Sequence, residues 1–431
     1  MIAGVEKLRF FPLEVVSGHA STLEEPGGRE LLDLSATWTA TGLGHGHPAV
    51  IEAASRVIAS APGASVLSAI HPEAVELAEE LLALDPGAGE RRVYLGYAGS
   101  DANDVALRCC RYYNGRPTIL AFEGSYHGGI GLAMGVSGQL IDAGQEADAD
   151  AVFLPHPNPL RPLTGDIEST VAHILALTER HLLTDRIASL IVEPILSDGG
   201  LVVPPAGFLA ALHRLCVASG VPMIFLGGHG RTGHLHAYSV DGFEPEIVTF
   251  GKALGAGLPI SAAVGPAAIL DAPASSALLT VAGNAVCSAA ARAVLRTVVN
   301  EGLPARAAIA GARLIDGLQS VADGNGCHDG LAATRIGEVR GRGLNTGVQL
   351  VSDRETLLPD HDLAQQVVYR AWQLGCVLYY VGGNVLEITP ALIITDTEID
   401  RAIDILDRAI AEAIDGAVSD ADIAPLAGWQ R

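Results

Sequence analysis

Lys252 is one of two lysines, with Lys7, in a chain whose lysines and arginines number 27 together. Everywhere else positive charge is arginine, so a lysine kept at position 252 asks for a chemical reason. It ends the apolar run Ile247–Phe250 and sits inside Gly251-Lys252-Ala253-Leu254-Gly255-Ala256-Gly257. That setting predicts an amine buried at a strand end, with space beside it left by the glycines. A buried amine is costly unless it is used. Burial and nearby positive groups lower its pKa and make it nucleophilic, which is what condensation with an aldehyde requires. A snorkelling surface lysine, the plainer alternative, fits this apolar setting poorly.

Two further segments supply company. Gly99-Ser100-Asp101-Ala102-Asn103 follows a predicted strand and opens a predicted helix, so free backbone N–H groups and the positive end of the helix dipole face one point, as in a phosphate seat. The same residues also serve as a plain N-cap. In Phe122-Glu123-Gly124-Ser125-Tyr126-His127-Gly128 an aromatic stands at a strand's C-terminal edge, where it can stack on a flat heteroaromatic ring. Taken alone, Tyr126 reads as core.

The elements that must position these residues are legible in the hydrophobic pattern. From about Arg91, short apolar runs alternate with amphipathic stretches, which predicts an α/β fold with a mainly parallel sheet. Seven runs qualify as strands: Arg92–Tyr97, Thr118–Phe122, Ala151–Leu154, Ser189–Pro194, Pro222–Leu226, Ile247–Phe250 and Ala262–Val264. Most carry no charge, as strands buried on both faces should. Ser17–Leu34 flanks the turn Glu25-Pro26-Gly27-Gly28 and predicts an antiparallel hairpin outside that sheet. Strands around Thr346–Leu350 and Val385–Ile388, with helices Leu363–Gly375 and Asp396–Ala413, complete a smaller α+β domain. The expected division is 1–50 (small domain), 51–318 (large domain) and 319–431 (small domain again).

Bulk composition bounds the partners. A formal charge of −22 argues against nucleic acid or an anionic membrane, which need a positive surface, and favours a small-molecule ligand. Cys109, Cys110, Cys216, Cys287, Cys327 and Cys376 form no CxxC pair and no metal-ligand spacing, so reduced buried thiols and no metal site are expected. Residues 1–12 lack a cleavable leader pattern, which reads as cytoplasmic.

The order and spacing of these motifs, starting at Leu43-Gly44-His45-Gly46-His47-Pro48, resemble those of class-III, fold-type-I aminotransferases over nearly the whole chain. The resemblance implies pyridoxal 5'-phosphate as cofactor and an enzyme working on an amine or amino acid and a keto acid. It further implies that Gly99 and Ser100 hold the phosphate, that Tyr126 stacks on the pyridine face, that Asp101, His127 and Glu193 also belong to the cofactor site, and that Lys252 forms the Schiff base and shuttles the proton. Glu193-Pro194 resembles the family's Glu-Pro strand end, and Gly230-Arg231-Thr232-Gly233 its post-strand turn. Thr280 is similar to the threonine that reaches the phosphate from a neighbouring subunit, which implies a homodimer with shared active sites.

Three departures bear on the chemistry. Where the family carries an Asp-Glu-Val segment whose aspartate pairs with the pyridine nitrogen, this chain has Leu226-Gly227-Gly228-His229, about three residues short by that comparison. His229 replaces the aspartate only if the loop folds inward; a histidine in a glycine-rich turn is expected to face solvent. Glu387 stands where many members carry a carboxylate-binding arginine, and would repel a carboxylate there. Ala285 stands where Asn-Pro is usual. Trp38 is placed in the same substrate pocket as His229 and Glu387. Gly-Ser-Asp-Ala-Asn-Asp at Gly99–Asp104 resembles the epimerase-like branch, so transamination and epimerisation both stay open. So do a scaffold that has lost normal cofactor chemistry, in a cyclase or condensing role in specialised metabolism, and a catalytically silent subunit.

Overall fold

The computed structural model describes residues 8–60, 63, 65–85, 87–328 and 330–426. Lys7 and most of the N-terminal stretch read for a leader lie outside them. The chain divides into one unit of residues 48–230 and 234–302 and another of 1–47, 231–233 and 303–431. The helix Leu303–Ala322 thus belongs with the second unit, whereas the sequence reading ended the large domain at 318. Its contacts are the reason: Gly311 lies against the backbone of Gly343, and Gly317 against Ile403.

The first unit is built on a seven-stranded sheet: β1 Arg91–Gly96, β2 Thr118–Phe122, β3 Ala151–Leu154, β4 Ile187–Val192, β5 Met223–Leu226, β6 Ile247–Phe250 and β7 Ser261–Pro266. All seven expected runs are strands, with ends shifted by up to two residues. The order is β1-β7-β6-β5-β4-β2-β3. Neighbours from β6 to β3 pair in parallel, and β7 runs antiparallel between β1 and β6. Because β2, β4 and β6 are buried along their whole length, they read as unbroken apolar runs. Parallel strands bring the loops after β2, β4, β5 and β6 to one edge of the sheet, where ligands of open α/β sheets bind.

Beneath that edge lies a core of aromatic and aliphatic side chains that includes Phe122, Phe208, Phe225 and Phe250. His156 is packed edge-on against Phe122 and Phe208, with ring centroids 5.7 and 6.2 Å away. Burial pushes its imidazole down to about 3. Above pH 6.5 the ring is neutral folded and unfolded. As pH falls from about 6.5 towards 3, only the unfolded chain takes the proton, so stability drops across that window. We expect His156→Leu to narrow the gap in urea-unfolding free energy between pH 8 and pH 5 by about 2 kcal/mol.

The second unit holds the predicted hairpin, Thr22–Glu24 with Glu30–Asp33, closed by the Gly28 N–H donating to the Glu25 carbonyl at 3.0 Å. Cys376–Val377 joins it in parallel. A second sheet contains Asn345–Asp353 and Val385–Ile388, in antiparallel register. Helices His361–Gln373 and Asp396–Ile414 cover the segments expected. The latter starts in a capping box, with the Thr395 N–H donating to Glu398 at 2.7 Å. After Ser419 the chain forms the short helix Asp420–Ile423, entered through the Ser419 hydroxyl donating to Asp422. Residues 427–431 lie outside the described residues.

Candidate active site

The expected phosphate seat lies where β1 turns into the helix Gly99–Asn114. The N–H groups of Gly99 and Ser100, first in the helix, have no intrahelical acceptor by geometry. Asp101 is buried, and its carboxylate accepts from the Tyr97 N–H at 2.8 Å, the Ala98 N–H at 3.2 Å and the Ser261 hydroxyl at 2.6 Å. It therefore holds the turn and ties it to the first residue of β7. A glycine cradle surrounds this start. A Cβ on Gly251 would stand 2.7 Å from the Gly99 nitrogen, so the residue before Lys252 passes against the helix start with no room for a side chain. A Cβ on Gly128 would stand 2.6 Å from the Ser100 Cα, and Gly128 has φ +145°. Ser100 Oγ accepts from the Gly129 N–H at 3.2 Å, and the Asn103 side chain donates to the His127 carbonyl at 2.6 Å. We expect Gly128→Ala to cost about 1–3 kcal/mol, read as a lower Tm together with weaker retention of cofactor on dialysis.

Lys252 follows β6 and opens a short 3-10 turn with φ +45°. A left-handed lysine costs about 1–2 kcal/mol, and such strain gathers at functional sites. The amine differs from expectation in two ways. It is exposed in this chain, because it projects past the end of β6 rather than from within the sheet. Its charged neighbours are the carboxylates Glu193 and Asp198, not cations.

Those carboxylates stand at the end of β4. Glu193 is 7% and Asp198 8% exposed. Glu193 accepts from the Tyr126 N–H at 2.8 Å and the Ser197 N–H at 3.2 Å, which binds the β2 and β4 edges together. Burial, with Asp198 nearby, pushes Glu193 up to about 8; those two hydrogen bonds and Lys252 pull the other way. Burial likewise raises Asp198, opposed by Lys252. Tyr126 is raised by burial and by Asp198, again opposed by Lys252. These four side chains therefore act on one another at the edge where β2, β4 and β6 end. Asp198 was not singled out in the sequence. Its signal was a carboxylate five residues after Glu193, followed by Gly199-Gly200.

Two imidazoles complete the inventory of this unit. His127 is 2% exposed, and neither ring nitrogen has a hydrogen-bond partner. His229, expected to face solvent, is instead 7% exposed, because the shortened segment runs inward and sets its ring 5.0 Å from that of Phe250. Burial pushes both down to about 3. Thr280 is exposed, and its carbonyl accepts from the Ser65 hydroxyl at 2.7 Å.

Trp38 and Glu387 belong to the other unit. Trp38 lies in the left-handed run Ala36–Thr39, with φ between +45° and +65°, and stacks on Tyr379 at 4.3 Å. Glu387 is 4% exposed and faces Tyr379 in strand register. Its charge acts on the buried Arg231, which burial lowers to about 10 while Glu387 and Asp33 hold it up.

The model of the class-III aminotransferases, described as "Aminotransferase class-III", matches residues 4–410. The chain belongs to the class-III aminotransferase family. Among curated relatives, a leucine/methionine racemase of Thermococcus litoralis is 36% identical over 79% of this chain and 77% of its own length. An isoleucine 2-epimerase of Lentilactobacillus buchneri is 32% identical over 98% and 95%. A 4-aminobutyrate aminotransferase of Mycobacterium leprae is 31% identical over 93% and 91%. In fold, the chain matches an aminotransferase from Vibrio fluvialis with a TM-score of 0.85, at 24% identity over 94% of this chain and 93% of that one. As a class-III aminotransferase the protein is an enzyme of the transferase type, acting on an amine or amino acid by transamination or epimerisation, with pyridoxal phosphate as cofactor. The site fits that group. The seat at Gly99–Ser100 suits its phosphate, Tyr126 its flat ring and Lys252 its aldehyde, while Leu226-Gly227-Gly228 offers its ring nitrogen no carboxylate.

Proposed function

We propose that this class-III enzyme is an amino-acid epimerase or racemase that works with Lys252 and Asp198 as its two proton-carrying groups. One observation carries the reading: Asp198 is a carboxylate buried to 8% exposure on the loop that Glu193 ties to Tyr126, close enough to Lys252 and Tyr126 for their charges to act on one another. The names of the racemase and epimerase relatives point the same way.

When bound, pyridoxal phosphate supplies an electron sink for the bonds at the substrate's Cα. The chain's own residues do the rest. Gly99 and Ser100 N–H groups anchor the phosphate, and Tyr126 covers the ring. Lys252 Nζ takes or returns the Cα proton from one side, and the Asp198 carboxyl does so from the other. A carboxyl whose hold on the proton is strengthened by burial suits a group that must give a proton as well as take one. Glu193, fixed by the Tyr126 and Ser197 N–H groups, positions the loop that carries Asp198.

Thr280 reaches the phosphate of a second copy in a homodimer of shared sites. Mixing Lys252→Ala with Thr280→Ala chains then restores activity, since each mixed dimer keeps one intact site; a mixture no better than its components contradicts sharing. The location is the cytoplasm, a reading supported by five buried free thiols. Among the described residues no helix is long and apolar enough to cross a membrane.

Single-enantiomer aliphatic amino acids in D2O test the reaction. The expected result is loss of optical activity with one deuterium at Cα and no keto acid required. Amino transfer to a keto acid that outruns enantiomer exchange would instead make the protein a transaminase.

A further inference from the structure

Thr280 lies on an exposed stretch, yet the peptide that follows it is held from both sides. The Ser65 hydroxyl donates to the Thr280 carbonyl at 2.7 Å, and the Val281 N–H donates to the Tyr97 hydroxyl at 2.8 Å. One peptide group is thereby fixed through its C=O and its N–H. Because the group is planar, those two bonds also fix the Cα from which the Thr280 side chain leaves. The next residues are tied down as well. The Val66 N–H donates to the Ala282 carbonyl at 3.3 Å, and a Cβ on Gly283 would stand 2.7 Å from Val66 Cγ1.

What this clamp orders is not buried. Thr280 is exposed, and so are Val66, Leu278 and Val281 around it in the two segments. Ordering an exposed loop costs conformational freedom that no burial within the chain offsets. A rigid loop edged with exposed apolar side chains suits contact with another surface. Tyr97 has a second attachment: its own N–H donates to the Asp101 carboxylate at 2.8 Å, in the turn expected to seat the phosphate. Its backbone thus serves its own chain's seat, while its hydroxyl serves the loop that carries Thr280.

We propose that Tyr97 and Ser65 are positioning residues that aim Thr280 at the phosphate of a second copy, so that loss of the Tyr97 hydroxyl weakens the partner's site and not its own. The inference rests on the homodimer of shared sites proposed above. Tyr97→Phe removes only the hydroxyl; the backbone N–H that meets Asp101 stays. Loss of one hydrogen bond of this kind weakens cofactor binding by about 3- to 10-fold.

Hybrid dimers, made by co-expressing two differently tagged chains, read where the loss falls. One chain carries Lys252→Ala, so the yellow band of lysine-bound cofactor reports the other chain's site alone. With Tyr97→Phe added to the Lys252→Ala chain, the dissociation constant of pyridoxal phosphate at the reporting site is expected to rise about 3- to 10-fold. With Tyr97→Phe in the reporting chain instead, it is expected to stay at the wild-type value. Pyridoxal, which has no phosphate, should bind both hybrids alike, a result that general loosening of the fold would not give. A loss that follows the reporting chain, no loss in either hybrid, or an equal loss with pyridoxal overturns the proposal. Ser65→Ala, which frees the other side of the peptide, is expected to act in the same hybrid and decides the matter should the phenylalanine chain not fold. Thr280→Ala in the Lys252→Ala chain separates the two readings. No loss there fails the shared site itself, whereas a loss with Thr280→Ala and none with Tyr97→Phe fails this inference alone.

Discussion

Replacing Lys252 with alanine is expected to remove about 10⁴-fold or more of the activity, the largest effect of any single substitution in the chain. Two roles fall together. In the function proposed above, the side chain is the amine that meets the cofactor's aldehyde and one of the two groups that carry the Cα proton. Proton transfer by a positioned group is worth about 10²–10⁴-fold by itself, and residues acting as one unit lose nearly everything when one is removed. Fold is expected to survive, since Lys252 is exposed, lies past the end of β6 and adopts a left-handed backbone that alanine tolerates about as badly as lysine. Activity assays with circular dichroism separate the two outcomes: native ellipticity without turnover or yellow colour. A Lys252→Ala protein that still racemises contradicts the assignment.

Asp198→Asn is expected to lower enantiomer exchange by about 10²–10⁴-fold, the range for one positioned acid or base. Asparagine keeps the shape and the oxygen but cannot carry the proton. The phosphate seat, Tyr126 and Lys252 remain, so cofactor binding and colour are expected to persist. Amino groups should still be lost from one enantiomer in a single turnover, because Lys252 alone handles the proton on its own side. That split distinguishes a proton carrier from a structural carboxylate, whose loss reduces colour and both reactions together. Removal of Asp198 also relieves Glu193, which its charge helps to hold up. The pH profile of residual activity is then expected to shift to lower pH. Equal losses in both reactions would contradict the two-group reading.

Why some of this was legible in the sequence and some was not follows from the range of the interactions. β2, β4 and β6 are buried on both faces, so their composition announces them. The turns that carry the chemistry also announce themselves, because Gly99, Gly128 and Gly251 sit where backbones touch. Lys252 stood out through the scarcity of lysine. Burial was harder. Position 252 ends an apolar run, yet its side chain leaves the sheet; position 229 lies among glycines, yet its side chain turns inward. Both depend on the direction the chain takes one or two residues beyond a strand, which neighbouring strands decide. Asp198 escaped notice because its meaning comes from Lys252 and Tyr126, 54 and 72 residues away along the chain. The helix Leu303–Ala322 was split by the expected boundary at 318, since its attachment is set by packing on Gly343 and Ile403, not by its own composition.

The chain's two lysines make the central claim unusually easy to test. The reconstituted protein is reduced with borohydride, digested and mapped by mass spectrometry. The account predicts one pyridoxyl-phosphate adduct, on the peptide that contains Lys252. An adduct on Lys7 alone, or none on a protein that remains active, would contradict it.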